Sequence, residues 1–211
     1  NGSFEYGATY WITVGGSIAI NDGVATLTGS GSYNFVYANQ NVGAFKANHK
    51  YYLACRLKPV SNKITLLQMS LVPSGGGGSL SIQRYSFEYG AWNFISGVVT
   101  SSVAQLGDIL VRPRFDFSSA EDAVNQTGEI DAVMAIDLTA TFGAGNEPTK
   151  EQCDKIFPNW FDGTKSTVGA SRLKSVGKNL FDVKSCEGKT GWQVDPVRVI
   201  GTGIEVSGYI P

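Results

Sequence analysis

The chain is built from short runs in which apolar and polar residues alternate, and turn residues separate these runs at close spacing. Alternation with a period of two residues is typical of strands that bury one face, and closely spaced turns are typical of sandwiches. The pattern therefore predicts an antiparallel β-sandwich of two sheets over roughly the first 138 residues. The predicted strands are Ser17–Ile20, Val24–Thr28, Tyr33–Tyr37, Tyr51–Lys58, Ile64–Val72, Leu80–Phe87, Ala91–Thr100, Asp108–Phe117 and Glu129–Leu138.

Alternation also assigns two faces to three of these strands, because successive side chains of a strand point in opposite directions. The apolar set predicted to form the core is Leu53, Cys55, Leu57, Leu67, Met69, Val111 and Phe115. The opposite set is rich in guanidinium, amide and carboxylate groups, which hydrogen-bond in fixed geometry. These outward residues are Arg56, Gln68, Arg112, Arg114 and Asp116. In the run from Leu80 the apolar phase changes, so we expect a bulge there.

Composition and charge agree with a turn-rich β protein and exclude some functions. Glycine contributes 26 of 211 residues, and 17% of residues are charged. The formal net charge is −1, from 17 basic and 18 acidic residues. Nucleic-acid binding depends on clustered lysine and arginine, so we expect no nucleic-acid partner. No apolar run approaches the ~18 residues that cross a bilayer, so we expect no membrane insertion.

Few residues offer catalytic chemistry. His49 is the single histidine, and the three cysteines are too scattered for a disulfide framework or a metal knuckle. Glu121 and Asp122 are adjacent, so their side chains point apart, and neither has an evident partner in the sequence. We therefore expect a protein that is not an enzyme.

The alternating pattern of the predicted strands ends at Leu138. Thr149 and Gln152 have the spacing of a capping box, which predicts a short helix over about 150–157, ended by Pro158. Short β-type segments resume at Val176. We expect a sandwich domain over 1–139, a connector with the helix over 140–175, and the N-terminal part of a following β module over 176–211. The chain begins without Met, and we expect it to be a piece of a longer protein.

Several motifs resemble a known class of modules. Asn1–Glu5 followed by Trp11, then Ala91–Gly97 and Glu129–Met134, together resemble the jelly-roll carbohydrate-binding modules of glycosidases and phage tail proteins. More specific motifs are Ile136–Thr149 and Phe157–Thr164. They are similar to the segment that ends such modules in tail, tail-fibre and minor structural proteins of phages infecting Gram-positive bacteria. Residues 175–182 are similar to the start of the module that commonly follows.

The resemblance implies a non-catalytic jelly-roll module of a phage tail or tail fibre, located in the virion and at the host surface during attachment. Its ligand would be a bacterial cell-surface polysaccharide or teichoic acid, and its partners other tail proteins. A homotrimer would fit such an assembly. Two alternatives stay open: a purely structural spacer of the tail, and a carbohydrate-binding module of a secreted glycoside hydrolase.

Two sets of site residues follow. Arginine forks and amides suit vicinal hydroxyls and phosphate, and a tyrosine can offer a ring face to a sugar. The predicted carbohydrate-binding residues are Arg56, Gln68, Arg84, Tyr85, Arg112, Arg114 and Asp116, and the alternative is a solvated sheet face with internal ion pairs. In related modules a structural calcium often lies between the N-terminal segment and the last strand. The matching residues are Asn1, Glu5 and Asp131, with simple turn capping as the alternative.

Overall fold

A computed structural model describes residues 2, 4, 6–157, 198–200 and 203–205 of the chain. The strands are β1 Ile12–Val14, β2 Gly16–Asn21, β3 Val24–Gly29, β4 Phe35–Ala44, β5 Lys50–Pro59, β6 Ile64–Pro73, β7 Leu80–Arg84, β8 Asn93–Thr100, β9 Asp108–Phe117 and β10 Thr127–Asp137. Two helices follow, α1 Leu138–Phe142 and α2 Lys150–Ile156. In the described part of the chain, neither is long and apolar enough to cross a bilayer.

The chain divides into two units, Asn1–Val168 and Gly169–Pro211. Of the second unit, the structure describes the antiparallel pair β11 Arg198–Ile200 and β12 Gly203–Glu205. Strands β1 to β10 belong to the first unit and form two five-stranded sheets, ordered β1-β4-β9-β6-β7 and β2-β3-β10-β5-β8. Neighbouring strands pair antiparallel throughout these two sheets. The predicted all-β, two-sheet jelly-roll sandwich is confirmed.

The core lies between the two sheets, where the alternation placed it. All seven predicted core residues are at most 2% exposed: Leu53, Cys55, Leu57, Leu67, Met69, Val111 and Phe115. Complete burial also raises the pKa of the Cys55 thiol, because a thiolate would have no solvation there. Cys55 is therefore a small apolar core residue rather than a reactive group.

Several predicted boundaries are wrong. The strand β1 was missed, because three residues are too few to show alternation. The run from Leu80 ends at Arg84, and its pairing with β6 has no register shift, so the expected bulge is absent from this pair. The predicted strand Glu129–Leu138 ends at Asp137, and the unpredicted helix α1 follows, because the Asp137 carboxylate accepts a hydrogen bond from the backbone N–H of Ala140 and caps a helical turn.

The predicted connector helix is confirmed. Helix α2 begins at Lys150, and the Thr149 side chain accepts from the N–H of Gln152, whose side chain in turn accepts from the N–H of Thr149. Both bonds of the capping box are therefore formed. The predicted Pro158 stop lies outside the described residues, and α2 ends at Ile156.

Helices α1 and α2 cover part of the outer face of the second sheet, over β10, β5 and β8. A small separate core joins β5 and β10 to the helices through Tyr52, Ala54, Met134, Leu138 and Cys153. The Tyr52 hydroxyl donates to Asp154 at 2.8 Å. Lys50 contacts Glu147 at 3.2 Å, which ties the loop between the helices to the start of β5. The part of the second sheet beneath the helices is therefore buried.

Removal of the Thr149 hydroxyl should destabilise the first unit. Thr149→Ala leaves the N–H of Gln152 without its capping acceptor, and we expect the free energy of unfolding to fall by about 1 kcal/mol. Urea denaturation followed by tryptophan fluorescence measures this change. Thr149→Ser keeps a hydroxyl and serves as the control, so equal losses in the two variants would contradict the capping role.

The connector should also loosen in acid. Hydrogen bonds from the backbone N–H of Glu147 and from the Thr139 hydroxyl lower the pKa of Glu147 to about 2. The carboxylate form therefore stabilises the folded state, and its contribution is lost as the pH falls from the ordinary pKa of about 4.5 towards 2. We expect Glu147→Gln to lower the melting temperature near neutral pH and to melt like the parent near pH 2. A difference that is constant with pH would contradict this linkage.

Candidate functional site

The outer face of the first sheet is a continuous surface of aromatic, cationic and hydroxyl side chains. Strands β4, β9, β6 and β7 lie side by side in it. Arg114 pairs in register with Tyr37 on one side and with Gln68 on the other. Ser70 lies between Arg112 and Ser81 in the same way. Residues paired in register point to the same face, so these side chains share one surface.

An aromatic row runs along the start of β4. Phe35 and Tyr37 flank the inward Val36 in β4, and the ring of Tyr33, just before the strand, stacks on that of Phe35. The ring centroids are 4.9 Å apart for Tyr33 and Phe35, and 5.5 Å apart for Phe35 and Tyr37, with interplanar angles of 14° and 18°. Tyr33 is 49% exposed. The row thus presents aligned rings with an open end at Tyr33.

A guanidinium from β9 lies over the ring of Phe35, and a second one lies over the ring of Tyr37. The Cζ atom of Arg114 lies 4.2 Å from the Phe35 centroid, and that of Arg112 lies 4.0 Å from the Tyr37 centroid. Asp116 accepts hydrogen bonds from Nε of Arg114, at 2.8 Å, and from its Nη2. Cation–π contact and hydrogen bonding together fix both guanidinium groups over their rings.

The β6 and β7 side of the face is a network of amides and hydroxyls. Nε2 of Gln68 donates to Ser70 Oγ at 2.7 Å and to Ser81 Oγ at 3.0 Å. The hydroxyl of Tyr85 donates to Gln83 at 3.0 Å, and Tyr85 is 70% exposed. Neutral donors and acceptors therefore continue the surface beyond the aromatic row.

Five of the seven predicted carbohydrate-binding residues are brought together on this face: Gln68, Tyr85, Arg112, Arg114 and Asp116. Arg56 does not lie on this face, contrary to the prediction of one shared surface, because β5 belongs to the second sheet and Arg56 pairs there with Phe94 and Asp131. Arg84 does not lie on this face either. Arg84 pairs with the inward Leu67, and its guanidinium donates to the carbonyls of Ser86 and Phe94. It joins the edges of the two sheets.

Sequence reasoning missed the aromatic row and Asn39. The predicted strand Tyr33–Tyr37 contained aromatic residues at every second position, and period-two spacing alone would have placed the three rings on one face. The role of Asn39 had no such signal. Asn39 becomes part of the face because the pairing of β4 with β9 brings its side chain to Arg112.

The structure places one of the three predicted calcium ligands. Asp131 stands at a bulge of β10, where its Oδ1 accepts from the N–H of Ala132 at 2.6 Å. The N–H of Val133 donates to the carbonyl of Gly2 at 2.9 Å, which brings the N-terminal segment against this bulge. Asn1 and Glu5 lie outside the described residues. Within the described ranges, no group of three or more His, Cys, Asp or Glu could hold a metal, so the calcium site stays a prediction.

Comparison with known proteins gives a fold. No protein-family model and no curated sequence matches the chain. The CBM22-2 xylan-binding domain of Paenibacillus barcinonensis Xyn10C superposes with a TM-score of 0.50 and 9% identity, over 64% of this chain and 97% of that domain. The arabinose-bound MgGH51 α-L-arabinofuranosidase superposes with a TM-score of 0.51 and 13% identity, over 72% of this chain and 27% of that chain.

A phage protein is also similar in structure, though more distantly. Bacteriophage CBA120 tailspike protein 4 gives a TM-score of 0.46 and 14% identity, over 64% of this chain and 20% of that chain. The chain thus spans about a fifth of the tailspike domain and about a quarter of the arabinofuranosidase. At these identities the likeness shows the fold alone. The first unit has the β-sandwich fold seen in carbohydrate-binding modules.

Removal of Arg114 should cost stability as well as any binding. Asp116 is 8% exposed, and Arg114→Ala would leave its carboxylate without the ion pair. We expect a loss of about 1–3 kcal/mol in the free energy of unfolding, measured by urea denaturation. Adding Asp116→Ala to Arg114→Ala should recover part of the loss, since no unpaired carboxylate remains. The control is Val103→Ala, at a position that is 74% exposed, where we expect a change within about 0.5 kcal/mol.

Proposed function

We propose that the first unit is a non-catalytic carbohydrate-binding module and that the outer face of the first sheet contacts the glycan. The proposal rests mainly on the aromatic row of Tyr33, Phe35 and Tyr37, in which a fixed guanidinium lies over Phe35 and another over Tyr37. Rings suit the apolar faces of sugars, and guanidinium and amide groups suit their hydroxyls. Helices α1 and α2 pack on the other sheet and leave this face open.

We infer the biological setting from the sequence resemblance. The motif at 136–149 supports a tail or tail-fibre protein of a phage, which would act in the virion and at the host surface. The glycan would be a bacterial surface polysaccharide or teichoic acid, and other tail proteins would be neighbours, with a homotrimer as the expected assembly. A structural spacer and a module of a secreted glycoside hydrolase remain the competing proposals.

Binding to isolated bacterial cell walls and to a glycan array tests the proposal. Tyr33→Ala and Tyr85→Ala remove exposed rings from the face, and we expect each to weaken binding on the order of ten-fold, equivalent to about 1.4 kcal/mol. Trp92→Ala is the matched control, because Trp92 is 41% exposed and lies beside Lys58 of the second sheet. Binding by the parent to no glycan would favour the spacer. Equal loss in the Trp92 variant would move the site to the second sheet.

We also propose that calcium joins the N-terminal segment to β10 through Asn1, Glu5 and Asp131. Oxygen ligands suit calcium, although six to eight are needed and others must come from backbone or water. A cation bound only by the folded state stabilises it, so excess chelator should lower the melting temperature and added calcium should restore it. Asp131→Asn should abolish this calcium dependence. Unchanged melting of the parent with chelator would leave turn capping as the role of Asp131.

A further inference from the structure

The two guanidinium groups of the outer face differ in how their charge is balanced. Arg114 is paired with Asp116 through two of its nitrogen atoms, so its positive charge is neutralised within the protein. Arg112 has no carboxylate partner among the described residues, and its hydrogen bond goes to the neutral amide of Asn39. Asp108, on the same strand, instead accepts from Asn41 at 2.7 Å. Arg112 is therefore the unbalanced cation of the face.

Contacts on two sides hold Arg112 in one orientation. Its Cζ lies 4.0 Å from the Tyr37 ring centroid, and its Nε donates to Asn39 Oδ1 at 3.0 Å. Asn39 is itself 8% exposed, so this acceptor is fixed by the sheet. The two terminal amino groups of Arg112 have no protein acceptor within the described ranges. Those groups form the fork that binds carboxylate or phosphate oxygens in pairs.

The environment of Arg112 makes an anion favourable there. Burial lowers the pKa of Arg112, because the cation loses part of its hydration, and the nearby charge of Arg114 acts in the same direction. Arginine nevertheless stays protonated at neutral pH. A partly desolvated cation without a counter-ion gains more from an incoming anion than a fully hydrated one does. Folding has thus already removed part of the hydration of the Arg112 cation, so less has to be removed when a ligand binds.

We propose that Arg112 is an anion subsite within the glycan-binding face and that the ligand is an acidic glycan, with a carboxylate or a phosphodiester against the Arg112 fork. This inference rests on the proposed function and names its substrate class. Arg114 belongs to the structural part of the face, because its fork is already occupied by Asp116. The aromatic row and the Gln68 network then bind the neutral parts of the same chain.

Matched polymers test the inference on the full chain. Polygalacturonate supplies carboxylates, and its methyl ester is the neutral counterpart. Poly(glycerol phosphate) supplies phosphodiesters, and dextran is a neutral glycan. At low salt we expect the parent to bind at least one acidic polymer more than ten-fold tighter than the neutral polymers. Whichever acidic polymer binds more tightly identifies the anion as a carboxylate or a phosphodiester. The preference for that polymer should decrease as added salt screens the charge of Arg112.

Variants assign the preference to the Arg112 fork. Arg112→Gln should remove the acidic preference and leave weak binding to neutral polymers. Arg112→Lys keeps the charge but lacks the fork, so it should retain only part of the acidic preference. Arg56→Gln removes one positive charge from the second sheet and should leave the acidic preference unchanged. Thermal melting establishes that each variant is folded.

The outcomes separate this inference from the proposed function. Equal affinity for acidic and neutral polymers, or an acidic preference that survives Arg112→Gln, would overturn the anion subsite and leave glycan binding intact. Absence of binding to both acidic polymers by the folded parent would overturn the anion subsite, and absence of binding to bacterial cell walls and to the glycan array as well would overturn the proposed function.

Discussion

The architecture depends on one strand, β5, whose first half is buried on both faces. Leu53, Cys55 and Leu57 point into the space between the sheets, and the alternating Tyr52 and Ala54 point the other way. A strand that is apolar on both sides needs two covers. The first sheet supplies one, and α1 with α2 supplies the other. The connector is therefore part of the fold of the first unit rather than a loose tether.

This constraint makes the two outer faces unequal. Part of the second sheet is used to bury Tyr52 and Met134 under the helices, with Asp154 and Glu147 anchoring the polar ends of the contact. The first sheet has no such cover among the described residues. It meets water with aromatic rings, guanidinium groups, amides and hydroxyls. An open face bearing fixed polar groups beside rings is the feature on which the proposed glycan binding rests.

Within that face, rigidity comes from pairs that cross from strand to strand. Arg112 reaches back from β9 to Asn39 and Tyr37 of β4, and Arg114 reaches to Phe35. Each long side chain is thus held by a ring and an acceptor, so little rotamer freedom is left to lose on binding. The two arginines differ in their acceptors: Arg114 gives two nitrogens to a carboxylate, and Arg112 gives only Nε to a neutral amide. On our proposal, this difference leaves only the Arg112 fork available to an anion from outside.

The sequence by itself determined the features that depend on neighbours a few residues apart. Alternation identified Leu53, Met69 and Phe115 as core residues, and the Thr149–Gln152 spacing located α2. These features can be predicted from sequence because strand periodicity and helix capping depend only on residues a few positions apart.

Only the tertiary structure decided which outward residues share a surface. Alternation states that Arg56 and Arg112 both point away from a core, but each sheet has its own outward side. Long-range pairing placed β5 in one sheet and β9 in the other, so the two residues are on opposite faces of the sandwich. The same pairing brought Tyr37 and Asn39 to Arg112 across 73 to 75 positions of sequence. No local pattern encodes such partners, because they are selected by the packing of the whole sandwich.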